Sequence, residues 1–393
     1  LVKSKKPIYW CAPCSTALAE AEVEYEDESS PSIYVKFNLI EDLSDKYPFL
    51  AGCETSLVIW TTTPWTIPAN LAVCLHPDLE YVALKTELGV LIVADGLKET
   101  FIAEAEIKEV EVLGSIEASE LENCHCQHPL YNRNSLVILG NHVTLEAGTG
   151  CVHTAPGHGQ DDYEVGLRYN LEVYAPVDDR GCFTDEVEFF AGEFVFAANP
   201  NVIEKLKEFD KLVAEKPLSH SYPHCWRCKK PIIFRSTEQW FISMEKEGLR
   251  EKTLAAINQV KWIPSWGRER IYGMIENRPD WCVSRQRIWG VPITVFNCEK
   301  CGQVIADEKI MLKIADLFTE HGADIWFENE AAYFLPDNFT CDACGASEFT
   351  KEGDILDVWF DSGSTHSFVV EQREALRRAE GKRTASLYLE GSD

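Results

Sequence analysis

Four Cys-x-x-Cys turns, Cys11/Cys14, Cys225/Cys228, Cys298/Cys301 and Cys341/Cys344, constrain how this chain can fold more than any other feature of it. Zinc favours four thiolates in a tetrahedron, and one such turn presents two sulfurs from a single tight bend. Two turns therefore complete a structural site, and four allow two sites. Cys298/Cys301 and Cys341/Cys344 both run into a glycine, as zinc ribbons do, and are expected to pair. Cys11/Cys14 are left to meet Cys225/Cys228 across everything between them; decay of that site, or pairing with another segment, is the alternative. Cys124, Cys126 and His128 lack a further knuckle and read as a loop coincidence. Zn2+ at up to two structural sites is the cofactor expected from these residues. Cys53, Cys74 and Cys151, each alone in apolar surroundings, read as small buried hydrophobes.

The total of 15 cysteines is odd, and the opening Leu1 to Pro7 has no apolar signal region, so a reducing cytoplasm suits the chain better than a secreted disulfide scaffold. No apolar run is long enough for a membrane span, and the expectation is a soluble, cytoplasmic monomer without a membrane partner. A net charge of −27 repels nucleic acid on average, so any RNA contact must come from local basic patches. Arg227, Lys229, Lys230 and Arg235, interleaved with Trp226 and Phe234, form one such patch; Arg278, Arg285 and Arg287 form another. Solvated faces, or ion pairing with the many acids, are the competing readings of both.

Short β-branched runs separated by Gly, Pro or acidic turns predict strands at Ser32 to Phe37, Ser56 to Trp60, Tyr81 to Lys85, Val90 to Ala94 and Ser135 to Leu139. They read as a strand-rich domain closed on itself. Helices are expected at Thr16 to Glu22, at Asp161 to Tyr169 with Asp161 or Asp162 as its cap, at Asn201 to Phe209, and at Glu245 to Gln259 and Trp266 to Glu276. Asp354 to Trp359 reads as a buried strand and Ser364 to Arg378 as a helix. The main boundary is expected near 200 to 220.

Two segments carry a family likeness. Trp60-Thr61-Thr62-Thr63-Pro64-Trp65-Thr66-Ile67-Pro68-Ala69-Asn70 and Gly148-Thr149-Gly150-Cys151-Val152-His153-Thr154-Ala155-Pro156-Gly157-His158-Gly159-Gln160-Asp161-Asp162-Tyr163 resemble the threonine-rich and Gly-His-Gly segments of the editing domain of isoleucyl-tRNA synthetases. Ser221 to Cys228, Arg278 to Arg287, Asp357 to Gly363 and Glu390 to Asp393 resemble the same family in the same order. Valyl and leucyl relatives usually carry Arg-Pro after the threonines, where this chain has Pro64-Trp65. The His-x-Gly-His and Lys-Met-Ser-Lys-Ser motifs of the family are missing, which marks a fragment unable to activate isoleucine alone.

The resemblance implies an α/β multidomain fold. A closed, β-barrel-like editing domain at 32–205 would be inserted in a partial Rossmann-type catalytic domain at 236–295 and 346–393. A leading segment at 1–31 and a returning segment at 206–235 would carry one knuckle each, with a zinc-ribbon insertion at 296–345. It further implies hydrolytic editing of valyl-tRNA(Ile). Thr62, Thr63, His153 and Asp162 would be the catalytic set, and Thr61, Thr66 and Asn70 would bind substrate. Trp359, Glu390, Gly391 and Asp393 would line part of the isoleucine and adenylate site. Partners would be tRNA(Ile) and its valine or isoleucine esters, with ATP and Mg2+ used only by the full-length parent. A valyl-tRNA synthetase editing region, or a non-catalytic zinc-stabilised tRNA-binding module, are the alternatives. Each site residue also has an ordinary role: threonines suit strand ends, Asp162 a helix start, and His153 a hydrogen-bonded core.

Overall fold

The computed structural model describes residues 1–376 and 385–389. It divides into two compact units, residues 5–238 and residues 1–4 with 239–393, and the chain passes between them within the strands Val2–Cys11 and Ile233–Ile242.

In the larger unit the strands Leu212–Cys225, Val23–Asn38, Thr55–Thr61, Gly89–Ala94, Glu80–Thr86 and Glu111–Glu117 form a six-stranded sheet in that order. All neighbours are antiparallel except Thr55–Thr61 with Gly89–Ala94, which run parallel. The central strands are buried on both faces, which is why they read as unbroken apolar runs. Val58 faces a cluster with Tyr34, Val82, Leu84, Leu91, Val93 and Phe101, the last carried by the helix Lys98–Glu104. Leu57 and Ile59, of opposite parity, are equally buried on the other face.

A second sheet orders Cys151–Thr154, Ala72–Leu75, Asn134–Leu139 and His125–Gln127. Ala72, Cys74 and Ile138 pack on Val165 of the helix Gln160–Arg168. The Tyr81 hydroxyl donates to the Gly150 carbonyl at 2.6 Å, and the Ala94 amide to the Thr149 carbonyl at 2.8 Å, tying this sheet to the first. Both sheets are open, which corrects the closed barrel expected from the sequence. Closure needs a ladder from last strand to first, yet among the described strands Glu111–Glu117 pairs only with Glu80–Thr86. Exposed glutamates at Glu111 and Glu117 blunt that edge.

Several local expectations change for identifiable reasons. Thr16–Leu18 is a strand, because it pairs with Tyr9–Cys11 and turns Cys11–Cys14 into a hairpin; only Glu20–Glu22 coils, with the Glu22 carboxylate accepting the Ala19 amide at 2.8 Å. The acidic stretch from Val23 extends the strand Val23–Asn38, which pairs with Leu212–Cys225 from Val23 to Val35. The helix expected from Asn201 starts earlier, at Val195.

In the smaller unit, Trp240, Val283, Ile293 and Val295 form one core, and Phe296, Ile310, Ile314, Trp326 and Phe334 another. Helices Leu249–Ile257 and Gly267–Glu276 are present, the first shorter than expected. The strands Ser284–Arg285 and Ile355–Leu356 pair antiparallel, and Asp357 then ends the strand expected through Trp359. Its carboxylate accepts the Trp359 amide at 3.0 Å, which starts the helix Val358–Gly363, and binds the buried Arg285 guanidinium at 2.8 Å. The expected helix from Ser364 is a π-helical turn, His366–Glu371, and a 3-10 turn, Glu374–Leu376, its remainder lying outside the described residues. Asp307 caps the helix Glu308–His321 by accepting the Lys309 and Ile310 amides at 2.9 and 3.0 Å. Asp307→Ala is expected to cost about 0.5–2 kcal/mol in the unfolding transition of this unit, read by denaturant titration.

Candidate functional site

The threonine run sits where a buried strand must stop. Thr55–Thr61 ends as the chain bends at Thr62, and Pro64, at the first position of a 3-10 turn Pro64–Ala69, prevents the strand from continuing. The Thr61 hydroxyl accepts the Thr63 amide at 3.0 Å and lies 3.1 Å from the Thr63 hydroxyl. The Thr66 hydroxyl donates back to the Thr63 carbonyl at 2.8 Å. Thr62 is half-buried, and its hydroxyl has no hydrogen-bond partner among the described residues.

His153 lies on the strand Cys151–Thr154, paired with Val73 of Ala72–Leu75. Both its ring nitrogens are engaged: Nε2 is 2.9 Å from the Thr66 hydroxyl and Nδ1 2.8 Å from Asn70 Nδ2. Asn70 donates from the same Nδ2 to the Ala72 carbonyl at 2.7 Å, while its Oδ1 accepts from the Ser135 hydroxyl at 2.5 Å. An amide nitrogen only donates, so Nδ1 of His153 must accept and the ring hydrogen sits on Nε2. The Thr66 hydroxyl, its hydrogen committed to Thr63, is then the acceptor. The network is closed around a neutral imidazole, and burial pushes His153 down to about 3.

Asp162 is in the first turn of Gln160–Arg168, but the cap position falls to Gly159, with no side-chain cap, so the capping role expected for Asp161 or Asp162 is not taken. Instead its carboxylate turns back and accepts the Ala155 amide at 2.9 Å, two residues beyond His153. Burial pushes this carboxyl up to about 7, against the pull of the Ala155 N–H. The loop between them is held by its own chemistry. A side chain on Gly157 would meet the Tyr174 carbonyl at 2.1 Å, and His158 donates from Nδ1 to the Phe234 carbonyl at 2.9 Å, with its ring edge-on to Trp65. Thr61, Thr63, Thr66, Asn70 and His153 are therefore joined in one hydrogen-bonded network, and Asp162 is tied to the end of the same strand. Ser135 belongs to that network although no motif contains it; its only signal in the sequence is a small polar residue opening an apolar strand.

The eight motif cysteines gather in two groups of four thiols. In Cys11, Cys14, Cys225 and Cys228, and likewise in Cys298, Cys301, Cys341 and Cys344, all sulfurs lie within 4.8 Å of one another. Cys11 and Cys228, 217 positions apart, are 3.5 Å from sulfur to sulfur; Cys298–Cys344 and Cys301–Cys341 are 3.5 and 3.7 Å. None is a disulfide. A tetrahedron with Zn–S bonds of about 2.3 Å has edges of roughly 3.7 Å, so both groups fit the ion.

Other expected residues sit differently. Trp359 is the second residue of the helix Val358–Gly363 and is exposed, at 38%, while Glu390, Gly391 and Asp393 lie outside the described residues. Arg285 is buried against Asp357 and Lys229 pairs with Glu24, as the ion-pair reading has it for these two, whereas Arg235 stacks on Trp10 and donates to the Val177 carbonyl. A cavity of about 690 Å³ lies in the larger unit, between Ser29, Pro31, Phe194, Phe196, Asn199 and Tyr222. No helix among the described residues is long and apolar enough to cross a membrane.

This chain belongs to the class I tRNA synthetases, the family of the I, L, M and V enzymes, whose model matches residues 1–393. Within that class it is 60% identical over 393 residues to the isoleucine–tRNA ligase of Geobacter sulfurreducens and 59% identical to that of Syntrophotalea carbinolica. Each alignment covers 100% of this chain and 42% of the relative, so the chain spans about two-fifths of the length of the curated relatives it matches. The editing domain of the P. falciparum cytosolic leucyl-tRNA synthetase overlays 46% of this chain and 98% of its own, with 9% identity and a TM-score of 0.39.

Proposed function

We propose that this chain is the central part of an isoleucine–tRNA ligase and that its larger unit hydrolyses valine wrongly esterified to tRNA(Ile). A pocket shaped for isoleucine cannot strongly reject a side chain one methylene smaller, a group worth about 1–3 kcal/mol, and this limit was framed on synthetases of this very kind. A second, smaller site must then remove the error. What supports that site here is the closed network Thr63–Thr66–His153–Asn70, which leaves the imidazole neutral and without a spare nitrogen. Such a ring is suited to be a wall and unsuited to proton transfer.

In this reading His153 limits side-chain size, and Asp162, once ionised, grips the α-ammonium group. Thr62 and Thr63, with Thr61, Thr66 and Asn70 behind them, hold the terminal ribose and ester while water attacks. No enzyme nucleophile is invoked. The smaller unit, with Trp359 and the Glu390, Gly391 and Asp393 segment, contributes to a Rossmann-type synthetic domain that uses ATP and Mg2+ in the full-length protein. The segment partition at 1–31, 32–205, 206–235, 236–295 with 346–393, and 296–345 is proposed on the same basis. Incubating the purified chain with valyl- and isoleucyl-tRNA(Ile) and following ester loss tests the reading: the valyl ester is expected to go and the isoleucyl ester to persist. Loss of neither would sink it.

Zinc would be held by the two thiol groups as a structural ion, fixing the Cys11–Cys14 hairpin to the Cys225–Cys228 turn at the base of the long two-stranded ribbon. Elemental analysis is expected to find two zinc ions per chain, with Cys14→Ser and Cys344→Ser each losing one. A chain that folds and retains neither ion would exclude this role.

A further inference from the structure

We propose that Ser135 is a positioning residue for the editing site: its hydroxyl sets the orientation of the Asn70 amide and, through it, which nitrogen of His153 carries the hydrogen. The consequence for editing rests on the function proposed above, whereas the effect on the ring rests on geometry alone.

Ser135 is the second residue of the strand Asn134–Leu139 and has no exposed surface. Apolar β-branched residues suit a buried strand position better, and a hydroxyl is expensive there unless it is bonded. Its bond is short and specific, 2.5 Å to Asn70 Oδ1. A carboxamide has nearly the same shape after a half-turn, so only its partners decide which end is oxygen. Asn70, fully buried, has two such anchors: the Ser135 hydroxyl donates to Oδ1, and the Ala72 carbonyl accepts from Nδ2. In that pose Nδ2 faces His153 Nδ1 at 2.8 Å, and the ring hydrogen is forced onto Nε2, toward Thr66.

Without the Ser135 hydroxyl, Oδ1 becomes a buried acceptor with no donor. A flipped amide would set Oδ1 against Nδ1 and draw the ring hydrogen there. The Thr66 hydroxyl would then turn from the Thr63 carbonyl to Nε2, releasing the backbone of the threonine turn. Ala72 still favours the original pose, so the variant is expected to be mixed rather than inverted.

The test uses the 393-residue chain labelled with 15N-histidine. Long-range 1H–15N spectra are expected to show wild-type His153 in the Nε2–H form alone and Ser135→Ala in two forms, with Ser135→Thr restoring one. The ratio of valyl- to isoleucyl-ester hydrolysis should fall about three- to tenfold in Ser135→Ala, the size of one net hydrogen bond. Unchanged His153 signals in a folded Ser135→Ala chain would overturn the proposal. If that variant does not fold, Ser135→Cys, similar in shape but a weak donor, takes its place with the same readout. If wild-type chain cleaves neither ester, the editing reading fails while the ring spectra still decide the role of Ser135.

Discussion

Replacing Asp162 by alanine is expected to lower kcat/KM for valyl-tRNA(Ile) hydrolysis by about a hundredfold while the chain stays folded. A charge-assisted hydrogen bond from the substrate ammonium is worth about 1.5–3 kcal/mol, or roughly 10- to 150-fold, and its loss also frees the ester to move out of line. Folding should survive because of what burial does to this carboxyl. Its pKa is raised from 3.8 to about 7, so the folded state prefers it neutral. The stability it contributes is complete below pH 3.8 and is lost as pH rises through 7. Above that, the buried charge costs stability, and alanine removes the charge together with the acceptor for the Ala155 amide. The melting temperature of Asp162→Ala relative to wild type is therefore expected to improve from pH 4 to pH 8. The same ionisation predicts that wild-type kcat/KM rises as pH passes through about 7, and that the variant lacks this limb. Deacylation by the variant within threefold of wild type would remove Asp162 from the reaction.

How much of this arrangement the sequence discloses depends on whether the signal is local. The core strands are legible because their central residues are buried on both faces, so Ser56 to Trp60 and Val90 to Ala94 read as β-branched runs bounded by turns. The long ribbon is not, since Glu24, Glu26 and Asp27 lie exposed on it and their composition says turn; only pairing with His224, Tyr222 and Ser221 makes them strand. Closure of the sheet was equally out of reach. Strand identity is written in alternation, whereas whether the last strand meets the first depends on twist and edge chemistry. At the site, the motif residues announce themselves by type and order, but the division of labour among them does not. Asp162 looks like a cap because aspartate in a first turn usually is one; the bend that sends its carboxylate to Ala155 instead is fixed by Gly157 and Gly159. Ser135 is invisible for the opposite reason. Its partner, Asn70, is 65 positions away, and nothing local marks the pairing.

The second large effect concerns the wall. His153→Ala is expected to let the chain hydrolyse isoleucyl-tRNA(Ile) at a rate within about tenfold of the valyl ester, because the discriminated group is one methylene, worth about 1–3 kcal/mol, and the imidazole is far larger than that. The neighbours can stand without the ring. The Thr66 hydroxyl still donates to the Thr63 carbonyl, and Asn70 keeps both Ser135 and Ala72. Acid stability separates a wall from a proton carrier. Burial lowers the pKa of His153 from 6.5 to about 3, so the neutral ring contributes stability that is present above pH 6.5 and is lost as pH falls toward 3. The alanine variant has no such group to protonate, and its loss of stability between pH 6.5 and 3 is expected to be shallower than that of wild type. A ring that moved protons during turnover would have to titrate near the working pH, and its removal would abolish valyl-ester hydrolysis as well. A folded His153→Ala chain that still spares the isoleucyl ester would show that the size limit lies in other side chains.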